Sequence, residues 1–319
     1  VMERTAILNK EKNFVSAVVY VHNAGKRIER FLGTILSVLE KNFEHSEVIC
    51  VNDCSTDDSA DVIKRVSRGA STASISIVNL SYFHGVEVAM NAGMDLAIGD
   101  FVFEFDKTIL DFDKDIIMKI YRRSLEGYDI VSASPDKKQK LSSRMFYYVF
   151  DKFADFKYKM TTESFRILSR RVINRISSMN KTVPYRKVVY ASCGLQSDNI
   201  RYPVVNTGED TTADTLEKRE RSSLAVDSLV LFTNFGYSFA KTMTVVMILA
   251  ALFMAVYSLV VYLIGSPIEG WTTTVMFLSF SFFGLFGILT IVIKYLQIIV
   301  NLVFQRKRYT FNSIEKLTK

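Results

Sequence analysis

Gly99 to Asp111 reads GDFVFEFDKTILD. From Phe101 to Phe105 the residues are apolar except Glu104, the run passes straight into Asp106, and Asp111 follows without an intervening Pro or Gly. The pattern predicts a buried strand over 99–106 that ends at a carboxylate. In open α/β sheets, ligands collect at the carboxyl ends of the strands, where an Asp is well sited to hold a divalent cation against a phosphate. An Asp in that place also serves simply as the cap of the next turn, and the stretch alone does not choose between the two.

Working outward, the same unit recurs. Val15 to Val21 (VSAVVYV) is a β-branched strand signal, followed by His22-Asn23-Ala24-Gly25 and then apolar residues at helical spacing from Ile28 to Leu39. Glu47 to Val51 (EVICV) opens into Asn52-Asp53-Cys54-Ser55-Thr56-Asp57-Asp58-Ser59, with a helix expected over 60–66. Ser55, Thr56 and Asp57 are explained by capping, because short oxygen-bearing side chains satisfy free N-terminal amides. Capping does not account for Asp53 at the strand exit. Ser74 to Leu80 predicts a third strand, Val86 to Ala97 a helix carrying Asn91 and Gly93, Asp113 to Glu126 an amphipathic helix, and Tyr128 to Ala133 a further strand. Alternation on this scale implies right-handed crossovers and a mainly parallel sheet.

Beyond residue 134 the alternation ends. Residues 134–143 (SPDKKQKLSS) read as a polar loop, and Met145 to Phe156 holds six aromatic residues, which suits either packing on the sheet or a helix near lipid. Ser164 to Arg171 (SFRILSRR) brings Arg166, Arg170 and Arg171 together, as either a solvated helix face or a site for a phosphate-bearing partner. From Thr211 to Ser223 the chain is charged and reads as a linker, and Leu224 to Tyr237 reads as an interfacial helix. Thr242 to Ile264 and Thr272 to Ile293 carry no charge, and each exceeds the roughly 20 apolar residues that cross a bilayer. The turn between them has one acid and no base, whereas Lys294, Arg306, Lys307 and Arg308 follow the second span. The positive-inside rule then puts the polar domain and both termini on the cytoplasmic side, in a multi-pass membrane protein. Second-span helicity is expected to run on to about 304, with Lys294 snorkelling to headgroups.

The domains expected are therefore 1–210, an α/β domain; 211–241, linker and interfacial helix; 242–304, a two-helix transmembrane hairpin; and 305–319, a basic tail. The formal charge of +7 comes without a Lys/Arg block interleaved with aromatics, which argues for an anionic membrane surface and against nucleic acid. Three cysteines, Cys50, Cys54 and Cys193, give neither a metal pattern nor a disulfide framework, and a reducing compartment is the simplest setting. The first residues, VMERTAILNKEKN, are too polar for a signal peptide.

In order, the motifs YVHNAG, EVICVNDCSTDDS, GVEVAMNAGMDLAIGD, FEFDKTILD and SFRILSRR, followed by a membrane hairpin and RKRYTF, resemble glycosyltransferase family 2, in particular its polyprenyl-phosphate branch. The resemblance implies a GT-A type nucleotide-binding domain, a nucleotide diphosphate sugar donor with UDP favoured, a polyprenyl (undecaprenyl) phosphate acceptor at the cytoplasmic face of the membrane, and Mg2+ or Mn2+, weakly bound. A homo-oligomer is compatible with it. The family's second-strand pattern VDDxSxD falls on Asn52, Asp53, Ser55 and Asp57, with Asp53 expected on the nucleotide base. The loop pattern PxxNE falls on Tyr20 to Ala24 and brings Asn23 to the donor, with Asn91 alongside. The metal pattern falls on Asp106, Thr108 and Asp111. Ser164 stands where most relatives carry a catalytic Asp, and Arg166 and Arg170 are expected on the acceptor phosphate. Acids are thus missing at 24, 52, 108 and 164. A phosphate monoester has a second pKa near 6, so it reaches the site largely ionised, and a missing base suits it better than a sugar hydroxyl. The alternative is a degenerate relative that binds or scaffolds without catalysis. A processive polysaccharide synthase is disfavoured, because its QxxRW motif is absent and the only Trp is Trp271.

Overall fold

The computed structural model describes residues 10–137, 163–178, 185–205, 270–304 and 309–318, with single positions at 148 and between 239 and 253. The aromatic segment 145–156 apart from Tyr148, the linker 211–223, the interfacial helix 224–237 and most of the first span lie outside the described residues. The chain divides into two units: Val1–Tyr147 with Phe156–Leu224 and Lys307–Lys319, and Tyr148–Asp155 with Ala225–Arg306.

Among the described residues the first unit holds eight strands: β1 (Val15–Val21), β2 (Ser46–Asn52), β3 (Ser74–Leu80), β4 (Phe101–Phe105), β5 (Ile130–Pro135), β6 (Phe165–Ser169), β7 (Ser197–Tyr202) and β8 (Phe311–Lys316), ordered β7-β5-β6-β4-β1-β2-β3-β8. The β4-β1-β2-β3 centre is wholly parallel, as is β5-β7, while β6 runs antiparallel to both β4 and β5, and β8 antiparallel to β3. The architecture is α/β with a mixed, mostly parallel sheet. Every residue of β1 is buried, which is what a parallel strand covered on both faces requires.

Helices cover both faces because side chains alternate along each strand. Val15, Ala17, Val19 and Val21 of β1 enter one core with α1 (Gly25–Asn42), α2 (Ser59–Ser67) and α4 (Asp115–Leu125). Val18 and Tyr20 enter the other, with α3 (Val86–Leu96), Val172 of α5 (Arg170–Ser178) and Tyr190 of α6 (Arg186–Ser192). Two glycines permit close approaches to β1. A Cβ on Gly93 would lie 2.4 Å from Val18 Cγ1, and one on Gly99 would lie 2.6 Å from the backbone nitrogen of Ser16. Backbone cannot move aside as a side chain tip can. Gly99→Ala is accordingly expected to destabilise the chain by about 1–3 kcal/mol, read as a lower denaturant midpoint with unchanged slope.

Two expectations change. The arginine segment expected as a helix face or a phosphate site begins as strand β6, with Arg166 fully buried in it. The segment expected as a basic tail, 305–319, supplies β8, which closes the β3 edge.

In the second unit α7 runs from Trp271 to Phe304, 34 residues, or roughly 50 Å at 1.5 Å per residue. Its side chains are described only in part, and on the described residues alone no helix is long and apolar enough to cross a membrane.

Candidate functional site

The carboxyl ends of β1, β2 and β4 lie side by side, and the loops leaving β1 and β2 are bound to one another. Past β1, the backbone N–H of Asn23 donates to Ser55 Oγ (3.1 Å), and Asn23 Oδ1 accepts from the Thr56 backbone N–H (2.9 Å). Gly25 N–H donates to Asp57 Oδ2 (2.8 Å), and Ser59 N–H donates to Asp57 Oδ1 (3.1 Å). Burial alone would raise the Asp57 pKa, but the bonds from Ser59 and Gly25 bring it below the usual value. Asn23 (φ 47°) and Cys54 (φ 51°) both hold left-handed backbone that non-glycine residues rarely adopt. Such outliers gather where a loop is built for a task.

Asp53 does something other than expected. Its carboxylate is 0% exposed and accepts the N–H groups of His84 and Gly85 (both 2.8 Å) and the Tyr20 hydroxyl (3.2 Å). Contact with a nucleotide base is closed to it in this arrangement, because the acceptors are spent on the turn between β3 and α3. Gly85, at φ 83°, is the residue that turn needs. Burial pushes the Asp53 pKa up despite these bonds. The neighbouring Asn52, where an acid was expected, accepts from Ser55 N–H (3.2 Å) and donates to Asn79 Oδ1 (2.8 Å). Asn91 lies half-buried midway along α3.

At the end of β4 stands an ion-pair cage. Arg166 spreads its three nitrogens over three acids: Nε to Glu163 (3.1 Å), Nη1 to Glu104 (2.8 Å) and Nη2 to Asp106 (2.8 Å). Arg186, from the first turn of α6, does likewise with Glu87 (3.0 Å), Glu104 (2.9 Å) and Asp106 (2.6 Å). Tyr190 donates to Glu104 Oε1 at 2.7 Å. Every member is nearly buried, and Asp106, with its side chain 17% exposed, is the one that reaches the rim. Burial alone would raise the Asp106 pKa; Arg186 and then Arg166 hold it far below the usual carboxylate range. A depressed folded pKa means stability that is present above the unfolded value, 3.8, and lost as pH falls below it. Between pH 4 and 3 the unfolding free energy of the native chain is expected to fall more steeply than that of Asp106→Asn, by up to about 1.4 kcal/mol per pH unit.

The expected cation set does not fit as it stands. Each oxygen of Asp106 already holds a guanidinium nitrogen, Thr108 is buried with only a neutral oxygen to offer, and Asp111 accepts from the Tyr202 hydroxyl at 2.9 Å. No group of three His, Cys, Asp or Glu able to hold a metal occurs among the described residues. Of the two arginines expected on the acceptor, Arg166 is in the cage. Arg170 binds the carbonyls of Ala97 (2.8 Å) and Gly99 (2.9 Å), at the opposite end of β4 from Asp106. It ties the start of that strand and cannot reach the rim. Ser164 does reach it, one residue beyond the Phe105–Phe165 pair, on the half-buried loop before β6.

Sequence reading missed Arg186, Glu87, Glu163, Tyr190 and Tyr202. Glu104 did leave a signal, as a lone acid inside a buried strand, which calls for a buried partner. KTVPYRKVVY gives Arg186 no comparable mark.

A family model described as glycosyl transferase family 2 matches residues 16–177. An uncharacterized glycosyltransferase of Synechocystis is 31% identical over 186 residues, which cover 56% of this chain and 58% of that protein. The chain therefore spans under two thirds of that relative. The YkcC glycosyltransferase of Bacillus subtilis is 24% identical, covering 82% of this chain and 81% of its own, and the bactoprenol glucosyl transferase of Shigella phage SfX is 24% identical, covering 69% and 73%. Among solved structures, a mannosyltransferase of Pyrobaculum calidifontis in complex with GDP-Man and Mn2+ aligns with a TM-score of 0.47 at 14% identity, covering 88% of each chain.

Proposed function

The chain belongs to glycosyl transferase family 2, and from that premise we propose that it moves a sugar from a nucleotide diphosphate sugar to a polyprenyl phosphate at the membrane surface. The observation that carries the proposal is the rim itself: Asp106, kept ionised by two arginines and partly open to solvent, stands beside the bound loops of Asn23, Ser55 and Asp57 at the carboxyl ends of parallel strands. Bactoprenol and undecaprenyl-phosphate transferases among the relatives support the acceptor class. The apolar segments 242–264 and 272–293 would hold the site beside that lipid, with the polar domain on the cytoplasmic side.

In this reading the Asn23–Ser55 loop receives the nucleotide, and the cage fixes Asp106 and the guanidinium groups in place before the donor arrives. Preorganised charges of this kind stabilise a transition state without rearranging during it. The acceptor phosphate oxygen attacks the anomeric carbon in line, and the nucleoside diphosphate leaves.

A second reading is favoured by a specific observation. Asp53 is buried and both Asp106 oxygens are engaged, as they would be in a relative that keeps the fold without turnover. One experiment separates them. Membranes containing the chain are incubated with radiolabelled nucleotide sugars, UDP-linked first, and undecaprenyl phosphate. Label is expected in the organic phase, and Asp106→Asn is expected to lower the rate about a hundredfold. Absence of label with every common donor would sink the transferase reading and leave the binding one.

A further inference from the structure

The polar line that begins in the cage continues to the edge of the sheet. Across the order β4-β6-β5-β7 the register sets Glu104 beside Arg166, Arg166 beside Ser132, and Ser132 beside Asn199, so the four side chains share one face. Toward the amino ends of β4 and β5 that face is apolar, with Val102, Leu168 and Ile130 in the core. Toward the carboxyl ends it turns polar. Ser134 and Arg201 form the next pair on β5 and β7, and Asp106 shares both cage arginines with Glu104. The opposite face of β5 and β7 stays apolar, with Val131, Ala133 and Tyr202 in the other core and Ile200 packed against it. Exposure at a sheet edge does not explain the change, because Ser132 and Ser134 are only 1% and 5% exposed. Buried hydroxyls are costly unless bonded, and Asn199 Nδ2 donates to both, at 3.1 Å and 2.7 Å.

Alternation along β7 puts Arg201 on the face of Asn199. Arg201 is exposed, and among the described residues it joins no ion pair. Arg166 and Arg186, by contrast, are buried against acids, and Arg170 is tied to carbonyls at the far end of β4. Inside the cage two guanidinium groups face four carboxylates, so an anion arriving at its edge needs a cation from outside. A guanidinium suits a phosphate, which it binds through two N–H groups at once. β7 stands three strand spacings from β4, or roughly 14 Å.

We propose that Arg201, over a floor of Ser134 and Asn199, binds the phosphate group of the acceptor and holds it beside a donor placed at the end of β4. The identity of the anion rests on the transferase reading above. The experiment titrates the full chain in detergent micelles by calorimetry with farnesyl phosphate as a short acceptor, with UDP and with inorganic phosphate. Arg201→Gln is expected to weaken farnesyl phosphate binding about tenfold and to leave UDP binding unchanged. Arg201→Lys, which restores the charge without the planar fork, is expected to recover part of the loss. Arg68→Gln removes the same charge at an exposed position after α2 and is expected to change neither. An unchanged denaturant midpoint for Arg201→Gln separates lost binding from lost folding.

Farnesyl phosphate binding that is unaltered in Arg201→Gln overturns the proposal, and so does an equal loss in Arg68→Gln, the mark of a bulk charge effect. An equal loss of UDP binding would put Arg201 on the donor and overturn it too. Inorganic phosphate held as tightly as the prenyl ester would overturn the assignment to the acceptor. Binding is read without turnover, so the two readings fail separately. A chain that holds the prenyl phosphate through Arg201 but transfers no sugar keeps this site and loses the transferase reading. A chain whose Arg201→Gln variant transfers sugar with the native KM for undecaprenyl phosphate keeps the transferase reading and loses this site.

Discussion

Arg166→Met is expected to lower the unfolding free energy by about 3–5 kcal/mol, because removal of one partner strands the others as buried charges. Glu104 is 0% exposed and Glu163 nearly buried, so water cannot replace the guanidinium. For a folded unit of this size the loss corresponds to a melting temperature lower by roughly 10 °C. Arg166→Lys is expected to recover little of it. The native side chain reaches Glu163, Glu104 and Asp106 from three separate nitrogens, and a single ammonium cannot occupy those three directions together. Denaturant titration of the purified chain measures both variants. A Lys variant as stable as the native chain would mean that net charge, not the planar fork, holds the cage.

Removal of residues 311–319 is the second change with a large expected effect. β8 pairs with β3 over five register positions, from Ser76–Lys316 to Leu80–Phe311, and Ile75 N–H donates to Thr318 Oγ1 at 2.7 Å. At about 0.5–1.5 kcal/mol for each net hydrogen bond, the truncated chain is expected to lose about 3–5 kcal/mol. It is also expected to associate in a concentration-dependent way through the bare β3 edge. The effect should extend to the site. Asn79 donates to Ser313 Oγ (2.9 Å) while accepting from Asn52, and Thr310, which β8 anchors, donates its N–H to His84 Nε2 (3.3 Å) within the turn that Asp53 holds. Weaker nucleotide binding by the truncated chain, measured by calorimetry, is the expected sign; unchanged stability and binding would show β8 to be dispensable.

Much of the fold was legible because it is written locally. The first five strands and the four helices between them follow from period-2 and period-3.6 patterns, and their ends fell within two or three residues of the observed bounds. Asp106 at the exit of β4 was legible for the same reason; Asn23, Ser55 and Asp57 were marked by the family resemblance, and only the folded chain joins their loops. The regular alternation ran out at residue 134, and so did the reading. SFRIL looked like a solvated arginine segment because a short strand with one buried cation has no periodicity to announce it. Arg166 became intelligible only opposite Glu104, its register partner across β4 and β6. Arg170, two residues beyond Leu168, was grouped with it by sequence distance, but the β6–α5 junction sends it to the other end of the sheet.

By itself the sequence determined a parallel α/β core with a carboxylate at the exit of its fourth strand, since apolar periodicity and turn chemistry act between near neighbours. Tertiary structure alone decided the partners of that carboxylate: Arg166 and Arg186 for Asp106, Tyr202 for Asp111, and the β3–turn–α3 segment for Asp53. It likewise decided that a tail-like C-terminal segment should be a strand. The reason is that charge pairing and strand addition join residues 60 to more than 230 positions apart, and only the folded chain brings their geometry and their burial together.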